Sequence, residues 1–246
     1  MPELPKIIAV IGPTASGKTA LGVSLAQKFG GAIVSADAKQ VFRKMDIGTA
    51  KEKELPVPQM LIDIRNPGER ITVGEYQSLA YAAIDGLLTE NRLPILVGGS
   101  GLYAESVLEG YEFGGQGSKR KAPRYRSLKL GLNIDRESLK ARARVRLLQR
   151  LDHGLVKEVN MLLEDGVDPE WLDRCGIEYR WLSRYVRGEV NREEMVLRIG
   201  LATDQFIKRQ YTWWRRHDDI RWCNSTDEVE EFTEKFLHLP SAGALS

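Results

Sequence analysis

The sequence predicts an α/β fold, a parallel sheet flanked by helices with a mostly helical second half, and three observations predict it. Short apolar runs alternate with helical stretches over the first hundred residues, the pattern of βα units. The first run, Ile7 to Ile11, leads straight into Gly12-Pro13-Thr14-Ala15-Ser16-Gly17-Lys18-Thr19, which fits G-x-x-x-x-G-K-S/T at every fixed position. Beyond residue 135 the pattern is almost wholly helical. With the phosphate loop in place, the class is P-loop NTPase-like.

The elements follow in order. Strands are expected at Lys6 to Ile11, Ala32 to Ser35, Met60 to Ile64 and Pro94 to Val97, each a compact apolar run. A helix should begin at the phosphate loop and run through Ala20 to Phe29. Another fits Thr72 to Glu90, where Val73, Tyr76, Leu79, Ala80, Ala83 and Leu87 share one face. The segment Phe113 to Pro123, FGGQGSKRKAP, is glycine-rich and basic without an apolar period, so a mobile loop or domain junction is expected. A strand is expected at Tyr125 to Leu132, and Asp135 then caps a helix from Arg136 to about Leu151, resuming after Gly154 to Leu163. Helices at Tyr179 to Val186 and Arg192 to Arg216, a strand at Ile220 to Trp222 and a closing helix complete the chain. The organisation is thus a first core part over 1–112, a short basic linker over 113–124, remaining core strands and helices over 125–238, and a tail over 239–246 expected to be disordered.

Composition narrows the class of activity. The chain has 246 residues, 42% of them hydrophobic, enough for one sizeable core. No apolar run approaches the roughly 20 residues of a membrane-spanning helix, and the first residues, MPELPKIIAV, lack the pattern of a leader, so a cytoplasmic protein is expected. Cys175 and Cys223, with histidines only at 153, 217 and 238, have no metal-ligand spacing and make no disulfide framework. The net charge is +2, but Lys119 to Arg150 holds twelve Lys or Arg against Asp135 and Glu137. Such a stripe suits a polyanion such as RNA, or forms a solvated helix face.

The phosphate loop carries the clearest chemistry. Its glycines let successive N–H groups turn inward, Lys18 brings a cation to the terminal phosphates, and the Thr19 hydroxyl can hold Mg2+. The helix that follows adds its positive end. Past the second strand stands Asp37-Ala38-Lys39-Gln40, on the strand edge where doubly wound sheets bind ligands. Asp37 can hold magnesium through water or act as a general base, and Gln40 can read a base edge or cap a helix. A second glycine turn, Gly98-Gly99-Ser100-Gly101, follows the fourth strand on the same edge.

Taken together, GPTASGKT, SADAKQVFRKMDIGTAK (35–51), LIDI (61–64), LVGGSGLY (96–103) and FIKRQYTWWRR (206–216) resemble one family, the tRNA dimethylallyltransferases. The likeness spans the first 110 residues and resumes from Leu128 to Trp222. It implies transfer of a dimethylallyl group from dimethylallyl diphosphate to the exocyclic amine of the adenine beside the anticodon, with pyrophosphate leaving. Gly12 to Thr19 then grips the donor's diphosphate, and Lys18 and magnesium at Thr19 stabilise the charge that grows as the allylic bond breaks. By the same resemblance Asp37 is the base, Thr14 a hydroxyl near the reacting centre, and Arg180 an arginine on the diphosphate from outside the loop. Asp37, Ala38, Lys39, Gln40, Ser100, Lys208, Arg209 and Gln210 are implied contacts of the tRNA anticodon stem-loop. Trp213 or Trp214 covers a base or the prenyl chain, or packs in the core. A monomer is expected.

The chain departs from the family's pattern in places. D-S-x-Q becomes Asp37-Ala38-Lys39-Gln40, V-P-H-H-L becomes Val57-Pro58-Gln59-Met60-Leu61, and Ser100 stands for the usual threonine. After Gly110 the helical insertion that embraces the anticodon stem-loop is replaced by the short linker. Three alternatives therefore accompany the leading reading: transfer to a free adenine nucleotide, a small-molecule kinase using ATP, and an RNA-binding protein without catalysis.

Overall fold

The computed structural model describes residues 3–114 and 117–238; the expected disordered tail, 239–246, lies outside the described residues. Among these, six parallel strands form one sheet in the order β3-β2-β4-β1-β7-β8. They are β1 (Lys6–Ile11), β2 (Gly31–Ser35), β3 (Gln59–Met60), β4 (Leu93–Gly98), β7 (Arg126–Leu132) and β8 (Ile220–Cys223). Being central, β1 pairs with β4 on one side and β7 on the other. The chain therefore reverses its direction of winding at the mouth of β1, the point where open parallel sheets hold ligands.

Alternation along β1 divides the core. Ile7, Ala9 and Ile11 face a layer made by α2 (Val73–Thr89), α3 (Gly101–Leu108) and Trp214, while Ile8 and Val10 face α1 (Lys18–Phe29) and α9 (Thr226–His238). A third apolar cluster holds the helical half: Leu147, Leu155, Val159, Leu172, Leu182 and Ile199 pack with Val41, Phe42 and Met45. These come from α4 (Arg136–Asp152), α5 (Leu155–Glu164), α6 (Pro169–Cys175), α7 (Ile177–Val186) and α8 (Arg192–Trp214). Caps fix the starts of several helices: Thr72 and Glu75 form a reciprocal capping box on α2, Asp135 caps α4, Asp168 precedes Pro169 on α6 and Asn191 caps α8.

Three segments differ from expectation. The strand expected at Met60 to Ile64 is only Gln59–Met60, because Leu61 and Asp63 adopt left-handed φ values of 64° and 54°. Its remainder bonds instead to the segment after β2, with Asp63 N–H on Gln40 O at 3.1 Å and Ile64 N–H on Val41 O at 2.9 Å. The expected mobile linker contains an antiparallel hairpin, β5 (Tyr111–Gly114) with β6 (Gly117–Arg120), in which Tyr111 faces Arg120 and Glu112 faces Lys119. Helix α6, unforeseen, has a start signal in the sequence, Asp168-Pro169.

Between β2 and β3 the chain has little regular structure, so it is held by charge. The Lys51 ammonium is buried and donates to Phe42 O at 2.7 Å, Asp63 at 2.6 Å and Asp46 at 3.1 Å. From α5, the Glu158 carboxylate accepts the N–H groups of Asp46, Ile47 and Gly48 at 2.7, 2.6 and 3.0 Å and the Tyr179 hydroxyl at 2.7 Å. Those bonds seat the loop against the helical half.

The glycines of the fold give contrasting expectations. A Cβ on Gly98 would lie 2.1 Å from the Ala36 carbonyl oxygen, whereas one on Gly86, inside α2, meets nothing within 4 Å. Urea unfolding should show Gly98→Ala losing about 2–3 kcal/mol and Gly86→Ala gaining about 0.5–1 kcal/mol.

Candidate active site

Strands β1, β2 and β4 end side by side, and the loops that leave them converge on one cleft of about 1310 Å³. Its walls come from those loops, α4, α7 and α8. The loop after β1 is curled by left-handed backbone at Ala15 (φ 63°) and Gly17 (φ 87°) and by Gly12 (φ 141°). Ser16 Oγ, buried, donates to Pro13 O at 2.9 Å, and Lys18 Nζ donates to the same carbonyl at 2.5 Å. At the start of α1, Gly17 offers no side-chain cap and the first turn holds no acid, unlike α2, α4 and α8. The N–H groups there stay available to an anion.

The other two loops are bound to this one and to each other. Asp37 Oδ1 accepts the N–H of Lys39 at 2.8 Å and of Gln40 at 3.4 Å, which orients its carboxylate at the cleft wall. Ser100 Oγ accepts the Ala38 N–H at 2.9 Å, and Ser100 N–H donates to Ala36 O at 3.2 Å. Gln210, buried on α8, accepts the Thr14 N–H at 2.8 Å and donates to Gly99 O at 2.9 Å. One amide thus spans both glycine loops. Gln40 also spends its side chain internally, accepting Ser35 Oγ at 3.0 Å and donating to Thr49 O at 3.3 Å.

Positive charge dominates the cleft. Burial pushes the Lys18 ammonium down to about 8, with Asp37 opposing the fall and Arg146 adding to it. Arg146 donates to Thr14 Oγ1 at 2.7 Å and is itself pushed down to about 10 by burial and by Arg150. Lys39 lines the same cleft, and burial raises the Cys175 thiol to about 11 even with that cation near. Burial beside Asp37 likewise raises Tyr103 to about 12, so its hydroxyl stays protonated.

Thr14, Lys18, Asp37, Ala38, Lys39, Ser100, Arg180, Arg209 and Gln210 all line the cleft. Arg180 is exposed at its rim, with Nε on Asp173 O at 2.6 Å. Lys208 lines a separate shallow pocket with Arg209, Trp213 and Arg216, and Thr19 lies half-buried on α1 outside the cleft lining. Trp214 is core, 1% exposed, while Trp213 is 37% exposed at the mouth of the cleft with its indole against Gly101. Arg146 and Arg150 were not singled out by sequence reasoning. A signal existed, since Leu139, Ala143 and Leu147 mark the buried stripe of α4 and both arginines flank it. Among the described residues no group of three or more His, Cys, Asp or Glu gathers to hold a metal ion.

Comparison with known proteins agrees with this architecture. The family model described as IPP transferase matches residues 40–121 and 112–217, and that described as isopentenyl transferase matches 5–60. The tRNA dimethylallyltransferase 2 of Shewanella sediminis is 34% identical over 284 residues, covering 91% of this chain and 94% of the relative. That alignment exceeds the 246 residues of the chain, so the relative contains residues this chain lacks, and the two IPP transferase matches meet at 112–121. The crystal structure of the tRNA isopentenylpyrophosphate transferase of Bacillus halodurans superposes with a TM-score of 0.86 at 28% identity, covering 94% of this chain and 96% of that one. The Staphylococcus epidermidis tRNA isopentenylpyrophosphate transferase gives 0.85 at 27% identity, covering 95% and 99%. By the extent of both the sequence match and the structural match, the chain belongs to the IPP transferase family.

Proposed function

We propose that the chain transfers a dimethylallyl group from dimethylallyl diphosphate to the exocyclic amine of the adenine on the 3′ side of the anticodon in tRNA. The observation that carries this reading is the joining of a phosphate loop, a carboxylate at Asp37 and a second glycine turn around one cleft. A kinase needs only the first of these. The relative named above, the tRNA dimethylallyltransferase 2 of Shewanella sediminis, supports the same acceptor.

The step balances as a substitution. The allylic carbon–oxygen bond breaks with its electron pair leaving on pyrophosphate, the amine nitrogen bonds the carbon, and the amine proton passes to Asp37. The amine's lone pair is delocalised into the ring, so loss of its proton during attack raises its nucleophilicity. Lys18 and the free N–H groups of the loop stabilise charge growing on the diphosphate. Thr14 presents its hydroxyl at the same spot, and Arg180 can reach the diphosphate from the rim. Lys39, Ser100, Arg209 and Lys208 border the path an RNA strand takes into the cleft, and Trp213 offers an indole face at its mouth.

Thr19 stands on the first turn of α1 next to Lys18, so a magnesium ion would reach it as one carried on the donor's diphosphate. Mg2+ keeps most of its shell as water and phosphate oxygens and needs one or two protein oxygens; the Thr19 hydroxyl would hold it, with Asp37 reaching it through water. When bound it supplies charge neutralisation on the leaving group. No helix among the described residues is long and apolar enough to cross a membrane.

Incubation with dimethylallyl diphosphate, magnesium and tRNA should yield prenylated adenosine by nucleoside mass spectrometry, and chelation of magnesium should abolish it. The same assay with AMP and ATP as acceptors should give no product; a preference for either would move the acceptor to free nucleotide. Asp37→Ala should lower turnover by a factor on the order of a hundred while sparing tRNA affinity. Lys18 is protonated below its value of about 8 and loses its cation as pH rises through it. kcat/KM for the donor should accordingly fall as pH rises above about 8. Gln210→Ala should lose about 1–3 kcal/mol in urea unfolding and about tenfold or more in turnover, since both glycine loops lose their shared contact.

A further inference from the structure

The segment after β2 forms one wall of the cleft, where Gly48 and Thr49 stand with Asp37 and Ala38. Its apolar residues Val41, Phe42 and Met45 are buried in the third cluster, but apolar contact is non-directional and does not by itself orient a peptide plane. Direction comes from Glu158 on α5, outside the cleft lining. Each of its oxygens takes two donors: Oε2 the N–H groups of Asp46 and Ile47, Oε1 the N–H of Gly48 and the Tyr179 hydroxyl. Burial, and after it the Glu158 charge, holds Tyr179 well above its ordinary range, so that hydroxyl stays a donor. Gly48 is fixed on its other side as well, its carbonyl accepting Arg150 Nη1 at 3.1 Å.

From this loop two bonds lead to the base. Thr49 O accepts Gln40 Nε2 at 3.3 Å and Gln40 Oε1 accepts Ser35 Oγ at 3.0 Å, so the glutamine is strung between β2 and the loop. The Gln40 N–H at 3.4 Å and the Lys39 N–H at 2.8 Å then hold Asp37 Oδ1. Oδ2 makes no bond within the protein among the described residues and is the oxygen left to take a proton. Aim matters here, because a misplacement of about 1 Å can cost about a hundredfold in rate.

We propose that Glu158 is a positioning residue for proton removal: by gathering the N–H groups of residues 46–48 it fixes Thr49, through Thr49 it fixes Gln40, and through Gln40 it aims the Asp37 carboxylate at the acceptor amine. This rests on the transferase reading above, in which Asp37 is the base. The phosphate loop, tied to Gln210, is not part of this chain of bonds. An amide at position 158 keeps one oxygen for Asp46 and Ile47, and the Tyr179 hydroxyl can turn to accept from its nitrogen. Only the Gly48 N–H then faces another donor, so Glu158→Gln loosens the loop at the residue that lines the cleft.

The test is single-turnover formation of prenylated adenosine from dimethylallyl diphosphate and tRNA with magnesium, for the parent, Glu158→Gln, Asp37→Ala and the double variant. Glu164→Gln serves as control, removing the same charge from an exposed position on the same helix. Glu158→Gln should lower the rate about tenfold or more while leaving the affinities for inorganic pyrophosphate and tRNA within about twofold of the parent. Glu164→Gln should change rate and affinities less than about twofold. Because Glu158 acts through Asp37, the double variant should be no slower than Asp37→Ala; losses that multiply mark a general structural defect and overturn the proposal. A parental rate in Glu158→Gln, or an equal loss in Glu164→Gln, overturns it too. Should Glu158→Gln not fold, Tyr179→Phe removes one donor from the same carboxylate, and its loss should likewise vanish when Asp37 is absent; a parental rate or multiplying losses overturn the proposal there as well. A parent that makes no prenylated adenosine ends the transferase reading and this proposal together, whereas an active parent with any contrary result ends this proposal alone.

Discussion

A single side-chain amide, that of Gln210, ties the helical half of the molecule to both phosphate-side loops. Its oxygen takes the Thr14 N–H and its nitrogen gives to the Gly99 carbonyl, so donor and acceptor are each satisfied at a buried position. Each bond contributes only about 1 kcal/mol net. The asymmetry matters more, because an unpartnered buried amide costs about 1–3 kcal/mol and only one orientation of α8 avoids that cost. The constraint also explains the second glycine turn: a Cβ on Gly99 would lie 2.8 Å from that amide nitrogen, and one on Gly101 would lie 2.3 Å from the Trp213 indole nitrogen. Side chains at these places would displace the Gln210 amide and the Trp213 indole from the loops.

With the loops fixed, the site is electrostatically unfinished. The start of α1 has neither cap nor acid, Lys18 is pushed down to about 8, and Arg146 donates to the Thr14 hydroxyl with Arg150 beside it. The burial of Lys18 carries a stability consequence with a definite sign. Its folded value is below the ordinary 10.5, so the folded state binds fewer protons between about 8 and 10.5 and gains stability as pH rises through that window. Below 8 the folded chain bears the full penalty of an enclosed cation. A bound anion offsets that penalty, which is how a preorganised site converts folding energy into selectivity for charge.

Much of this was legible in the sequence, and the parts that were not share a cause. The phosphate loop followed from its motif, and the three strands that frame it and the long helices from local periodicity, neither of which needs knowledge of neighbours. The strand over 60–64 failed because Leu61 and Asp63 are turned by bonds to residues 40 and 41, a tertiary influence on an apolar run. Gln40 and Gln210 read equally well as contacts for RNA; their side chains are occupied by the protein's own loops, and no local pattern distinguishes the two fates. Trp213 and Trp214 are adjacent, so one had to face away from the core, and only the packing of α8 decides which. The basic stretch divides in the same manner, with Arg146 and Arg150 turned into the cleft and Arg142 outward.

The hairpin after α3 bears on how RNA is held. Its relatives contain more residues than this chain, and the family matches meet at this place. The short β5–β6 ribbon is stitched into the body: Gln77 donates to Tyr111 O at 2.7 Å, and Tyr111 donates its hydroxyl to Glu105 at 2.9 Å. The other oxygen of that buried carboxylate meets His217 Nε2 at 2.7 Å, just beyond α8. Through Glu105 the hairpin, the helix that follows the second glycine turn and the end of the helix bearing Gln210 are one unit. A ribbon so committed braces the cleft and offers little independent grip on a stem-loop. On the proposed reading, affinity for tRNA then rests on cations at the cleft mouth and along α8, such as Lys39, Arg209, Lys208 and Arg216. Few phosphate contacts mean a shallow dependence of binding on salt, with selectivity supplied by the base that enters the cleft.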